Sequence, residues 1–86
     1  MNDKIKIFSI QNMFYQITFS YHNITYYINT MYQFKYKNNN YNYYIMSKED
    51  TNASNIYCND ILSKNPKIKK MVNLFKLGLL KKGMEI

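Results

Sequence analysis

The chain has 86 residues, which is enough for one small domain and too few for two. Hydrophobic residues make up 47% of it and aromatic residues 17%, a content that excludes an intrinsically disordered chain. The net charge is +7, because 12 lysines and no arginine stand against five carboxylates. Such a balance favours phosphate backbones, anionic lipids or acidic protein surfaces as partners.

Four residue types with AT-rich codons (Asn, Lys, Ile and Tyr) account for more than half of the chain. This bias indicates an AT-rich genome, such as that of a phage or mobile element of a low-GC bacterium, an organelle or a parasite. Under such a bias, a single Asn or Lys says less about function than it does in a chain of balanced composition.

The first half of the chain alternates apolar and polar residues with a period of two, which is typical of half-buried strands. It predicts strands at residues 4–10, 13–21, 24–36 and 41–45, with turns at 11–12, 22–23 and 38–40. Asn tolerates the positive φ that tight turns need. We therefore expect an antiparallel meander of about four strands, with Tyr27 and Tyr44 on the opposite phase from the core residues.

The second half predicts two helices. Residues 47–50 resemble a capping box, which would introduce a helix over 53–64. Asn65 and Pro66 are a typical helix start, and we expect Gly83 to end this second helix. Its buried stripe at i, i+3, i+4 spacing would be Ile68, Met71, Val72, Phe75 and Leu79. The fold class is thus α+β, one domain over 1–86 with a β-sheet half (1–46) and a helical, lysine-rich half (47–86).

The chain offers little for catalysis. His22 and Cys58 are single, so a Cys–His pair would need a third group that the sequence does not indicate. We interpret Cys58 as a buried structural thiol and His22 as a solvated turn residue. No spacing typical of a metal site and no phosphate-cradling glycine motif is present, so we expect no metal and no cofactor.

The cysteine count and the length of the apolar runs indicate where in the cell the protein is found. A lone cysteine fits a reducing compartment, and no apolar run approaches the length of a membrane span. With no signal-peptide core near its start, we expect a cytoplasmic protein, in a host cell or the interior of an organelle.

Charge is concentrated near the end of the chain, where residues 61–84 hold seven lysines and no acid. On a helical projection Lys69 and Lys76 lie on one side of the apolar stripe, and Lys67, Lys70 and Lys81 lie on the other. This face is either a solvated side of a core helix, a phosphate-binding surface or a membrane-surface helix. Tyr27 and Tyr44 either pair across strands or stack on bases. The candidate partner-binding residues are Lys64, Lys67, Lys69, Lys70, Lys76, Lys81, Lys82, Tyr27 and Tyr44.

These features predict a small basic binding protein without enzymatic activity, from a phage or mobile element. It would dock on a nucleic acid or a host nucleoprotein, such as a bacterial immune nuclease, and inhibit or modulate it as anti-CRISPR proteins do. The absence of arginine favours backbone contacts over base reading. The alternatives are an organellar or divergent ribosomal protein that binds rRNA through its lysine-rich helix, and a membrane-active domain; an enzyme ranks last.

Overall fold

The computed structural model describes residues 4–31, 34–36, 38–41, 43–47, 62 and 64–86. These residues form six strands and one α-helix: β1 (Lys6–Gln11), β2 (Gln16–Tyr21), β3 (Ile24–Asn29), β4 (Phe34–Tyr36), β5 (Asn39–Tyr41), β6 (Tyr44–Ser47) and α1 (Pro66–Lys76). The expected α+β class is confirmed, with one helix rather than two in the described part. The helix expected over 53–64 lies outside the described residues, apart from Leu62 and Lys64.

Four strands pair in the order β1-β2-β3-β6, and every pair is antiparallel. The strands β4 and β5 form a separate hairpin, which is inserted between β3 and β6 and turns at Asn38 with φ 65°. The β2–β3 turn places His22 and Asn23 at φ 51° and 65°, the left-handed conformation expected for a two-residue hairpin loop. The predicted four-stranded meander is therefore present with one insertion.

One face of the sheet is apolar and lies against α1. The buried residues of the strands are Ile7, Ile17, Phe19, Tyr26, Ile28 and Ile45, and α1 adds Ile68, Met71 and Val72. The alternation predicted from the sequence has the correct phase, since these inward residues alternate with half-buried ones. These nine side chains belong to one core cluster. Burying each such side chain stabilises the fold by about 1.5–3 kcal/mol.

The chain between β1 and β2 departs from the prediction. Residues 12–14 form a 3-10 turn and Tyr15 has φ 54°, so the second strand begins at Gln16 rather than at residue 13. Both the backbone N–H and the hydroxyl of Thr30 donate to the Tyr15 carbonyl, at 2.9 and 3.1 Å. This pair of bonds, the Tyr15–Thr30 tie, fastens the β1–β2 loop to the end of β3.

The expected strand over 24–36 is also interrupted. β3 ends at Asn29, whose side-chain oxygen accepts a hydrogen bond from the Met31 N–H at 3.0 Å. An Asn side chain that bonds the backbone two residues on is a local turn, and it competes with the strand ladder. The alternation resumes in β4, which belongs to the separate hairpin.

The start of α1 matches the prediction. The Asn65 side-chain oxygen accepts from the Lys67 N–H at 2.8 Å, and Pro66 is the first helical residue. The Asn65 amide also donates to the Tyr21 hydroxyl at 3.3 Å, which fixes the start of α1 at the end of β2.

The end of α1 differs from the prediction: the helix ends at Lys76, and Gly78 rather than Gly83 terminates it. At φ 74°, Gly78 donates to the Phe75 carbonyl at 3.0 Å, while Leu79 donates to the Leu74 carbonyl at 2.9 Å. This bond pair is a Schellman motif. Leu79 is consequently exposed instead of buried, and Leu80 packs into the core.

The last residues return along β1. Ile5 and Ile86 exchange two backbone hydrogen bonds of 2.9 and 2.8 Å, and the Gly83 N–H donates to the Ile7 carbonyl at 2.8 Å. This pairing covers the outer edge of β1, which would otherwise present unpaired backbone groups. No helix in the described ranges has the length and apolar character that crossing a membrane requires.

We expect Asn65→Ala to be less stable than Asn65→Asp by about 1 kcal/mol in the free energy of unfolding, because in the alanine variant the Lys67 N–H loses its cap. Asn65→Asp is the matched control: it keeps the accepting oxygen of the cap, and like alanine it lacks the amide that donates to Tyr21. Urea denaturation of the three proteins measures the difference. An Asn65→Ala variant as stable as Asn65→Asp would show that the cap does not stabilise α1.

Candidate functional site

An open cleft of about 660 Å³ lies between one side of α1 and the sheet end where β3 finishes and β6 begins. Its lining residues are Thr30, Met31, Tyr43, Lys69, Val72, Asn73 and Lys76. Four of these belong to α1, and Thr30 and Tyr43 border the paired strands β3 and β6.

The helix side of the cleft is polar and cationic. Lys69, Asn73 and Lys76 are spaced at i, i+4 and i+7, so they form one line along α1. The two lysines are about 10.5 Å apart along the helix axis, from a rise of about 1.5 Å per residue. Both are exposed, and neither forms an ion pair with any residue in the described ranges. Their ammonium groups are therefore available to an anion in the cleft.

The described residues on the sheet side of the cleft carry no charge. Thr30 is 4% exposed, and its hydroxyl is used in the Tyr15–Thr30 tie. Tyr43 is 8% exposed, and burial raises the pKa of its hydroxyl above the usual 10.0. Among the described residues that line the cleft, the charge comes from Lys69 and Lys76.

This set of groups is suited to binding an anion. Two ammonium groups and an amide can donate to phosphate oxygens. The residues that line the cleft in the described structure include no carboxylate and no imidazole that could serve as a general base. Across the described residues, no group of His, Cys, Asp and Glu side chains is placed to hold a metal ion.

A second surface lies on the outer face of the sheet, on the side away from α1. A shallow hollow of about 320 Å³ is lined there by Gln16, Tyr27, Ile28, Asn29, Tyr44 and Met46. Tyr27 pairs with Met46 and Asn29 pairs with Tyr44 across β3 and β6. The structure thus brings the two predicted tyrosines together, but the thickness of the sheet separates them from the lysines of α1.

The remaining predicted lysines are dispersed around α1. Lys64 and Lys70 are exposed, whereas Lys67 is half-buried beside the Asn65 cap. Lys81 and Lys82 lie beyond α1, where the Met84 N–H donates to the Lys81 carbonyl at 3.1 Å in a turn. The prediction that Lys81 shares one helical face with Lys67 and Lys70 is therefore wrong. The Schellman motif ends the helix five residues before Lys81.

The site residues predicted from the sequence do not include Thr30, Met31, Tyr43 and Asn73. Thr30 and Tyr43 lie on the inward phase of the predicted strands, which is also the phase of the core residues. Thr30 is polar although it lies on the same phase as the apolar core residues. This was the one signal in the sequence that could have indicated where the strand ends. His22 is exposed in its turn as expected, and Cys58 lies outside the described residues.

No protein-family model matches the chain, and neither a curated protein nor a solved structure matches it. The function is therefore argued from the geometry of the cleft and the charge around it.

Burial of Tyr43 predicts a specific loss of stability in alkali. The raised pKa means that the fold favours the neutral phenol, so this contribution is complete below pH 10 and is lost as the pH rises through the folded-state pKa. Between about pH 8 and about pH 11, the free energy of unfolding should fall less in Tyr43→Phe than in the wild type. Urea denaturation across this range measures it. A Tyr43→Phe curve parallel to that of the wild type would contradict the assignment.

Proposed function

We propose that this chain is a small non-enzymatic binding protein that contacts the phosphate groups of a nucleic acid, free or within a nucleoprotein, through the cleft beside α1. The observation that carries the proposal is the pair Lys69 and Lys76, exposed on one side of α1 without ion-pair partners in the described structure. Asn73 lies between them and adds a neutral donor.

The surrounding charge supports an anionic partner. Lys64, Lys70, Lys81 and Lys82 are also exposed, and none of them is ion-paired within the described ranges. In the described ranges one lysine does form an ion pair: Lys4 lies 3.6 Å from Glu85, beside the edge of β1 and outside the lining of the cleft. A cationic surface of this kind raises the association rate and the affinity for polyanions, and both effects fall as salt increases.

The chemistry of the cleft favours backbone contacts over sequence recognition. Lysine is a flexible point charge, whereas the bidentate reading of guanine is mostly the work of arginine, which this chain lacks. The protein would thus recognise charge and shape, as contacts to phosphate position a protein without reading sequence.

A nucleoprotein partner is the specific form of this proposal. A short basic chain from a phage or mobile element can inhibit a host immune nuclease by occupying the phosphates on which that nuclease acts. On the outer face, Tyr27 and Tyr44 provide a second surface on the other side of the sheet, where an apolar side chain from the protein part of a nucleoprotein can pack.

The test is a comparison of two charge-matched variants. Lys69→Gln/Lys76→Gln removes two charges from the cleft, while Lys4→Gln/Lys6→Gln removes two charges at the start of β1, outside the lining of the cleft. Affinity for a single-stranded and a duplex oligonucleotide is measured by fluorescence anisotropy over a series of salt concentrations. We expect the cleft variant to lower the salt slope by about 1.4 on the single strand or about 1.8 on the duplex, and the control to change it little.

Equal slopes for the two variants would show that only the net charge matters and that the cleft is not the contact. A wild type that binds neither oligonucleotide would contradict the proposal. Circular dichroism of both variants checks that the fold is kept, since surface substitutions of this kind usually change stability by no more than about 0.5 kcal/mol each.

A further inference from the structure

Six large apolar side chains are exposed at one end of the molecule. Met13 is 88% exposed, Leu77 71% and Phe14 66%. We name this group the apolar end: Met13, Phe14, Tyr15, Met31, Leu77 and Leu79. Small soluble domains rarely expose so many apolar side chains together unless the surface contacts a partner.

The fold gathers these residues from three separate segments. The Tyr15–Thr30 tie holds the loop that carries Met13 and Phe14 against the end of β3, next to Met31. The helix α1 begins at the opposite end of the sheet, where Asn65 contacts Tyr21. It ends where Lys76 shares the cleft with Thr30 and Met31, so Leu77 and Leu79 emerge at the same end.

The backbone beneath the apolar end is fixed by hydrogen bonds. The Tyr15 N–H donates to the Asn12 carbonyl at 3.2 Å and closes the 3-10 turn. On the helix side, the Schellman motif holds Gly78 and Leu79. The apolar side chains are therefore presented by ordered turns, which lowers the entropy cost of inserting them into another phase.

The adjacent charge indicates the nature of the partner. Lys69 and Lys76 lie along the cleft that Met31 also lines, so cations border the apolar end. A second copy of the chain would bring like charges together, on a protein with a net charge of +7. An anionic lipid surface complements both features, because its acyl region accepts apolar side chains and its headgroup phosphates accept ammonium groups.

We propose that the apolar end inserts into the surface of an anionic lipid bilayer, with Lys69 and Lys76 on the headgroup phosphates. This is peripheral binding by loop tips and one helix end. It is independent of nucleic-acid binding, except that lipid and nucleic acid share the two lysines and so compete for them.

The experiment is co-sedimentation of the full chain with vesicles. Vesicles of equal parts phosphatidylserine and phosphatidylcholine should bind the protein, and pure phosphatidylcholine vesicles should bind it much less. Met13→Ser/Phe14→Ser should weaken binding to the anionic vesicles at least about tenfold. Phe8→Ser is the matched control, because Phe8 is 41% exposed on β1, away from the apolar end, and it should bind like the wild type.

A second pair of variants tests the charges. Lys69→Gln/Lys76→Gln should weaken binding to the anionic vesicles by about fivefold per lysine, whereas Lys4→Gln/Lys6→Gln should have a smaller effect. Wild-type protein that stays in solution with anionic vesicles would overturn the proposal. So would Met13→Ser/Phe14→Ser binding as tightly as Phe8→Ser.

Light scattering tests whether a second copy of the chain occupies the apolar end instead. If the wild type is a dimer and the Met13→Ser/Phe14→Ser variant is a monomer, the apolar end is a dimer interface and the lipid proposal is overturned. Oligonucleotide binding is measured on the same variants. Met13→Ser/Phe14→Ser should retain it, so the failure of the lipid proposal and the failure of the phosphate cleft give different results.

Discussion

The apolar inner face of the four-stranded sheet has to be covered, and in the described part of the chain α1 is the helix that covers it. Ile68, Met71 and Val72 point into the sheet, and this contact fixes the rotation of α1 about its axis. Once that rotation is set, Lys69 and Lys76 lie on one side of α1, at the cleft beside Thr30 and Tyr43. Tyr27 and Tyr44 lie half-buried on the outer face of the sheet. The two candidate surfaces are thus consequences of one packing arrangement.

Hydrogen bonds at the ends of the elements determine what each end of the molecule presents. The bond between Asn65 and Tyr21 places the start of α1 at one end of the sheet. The Schellman motif at Gly78 stops the helix at the other end and turns the chain back toward β1. Because the Tyr15–Thr30 tie lies at that same end, exposed apolar residues and exposed lysines become neighbours: Met31 and Lys69 line one cleft although they are far apart in sequence. Charge and apolar surface side by side are what an amphipathic partner requires.

The sequence predicted features that depend on local pattern. The inward phase of Ile17, Phe19 and Ile28, the turn at His22 and Asn23 and the start of α1 at Asn65 all follow from period-two alternation, turn chemistry or capping. Hydrogen bonds between residues far apart in the sequence could not be predicted in this way. Alternation continues from β3 through β4, so it could not show that Asn29 and Thr30 end the strand. Gly78 and Gly83 both have positive φ, and the hydrogen bonds of the Schellman motif show that Gly78 is the helix terminator. The sequence offered Lys69 and Lys76 as candidates, but it did not predict the cleft beside them, which needs Thr30 and Tyr43.

We propose that a phosphate-bearing partner binds at the cleft beside α1 and not on the outer face of the sheet. This is tested by titrating isotope-labelled protein with a short single-stranded oligonucleotide and recording NMR spectra of the backbone amides. We expect the largest shifts along residues 69–76 and at Thr30 and Tyr43, with small shifts at Thr18, Tyr27 and Met46. Shifts confined to Tyr27, Tyr44 and Met46, with none along α1, would contradict it.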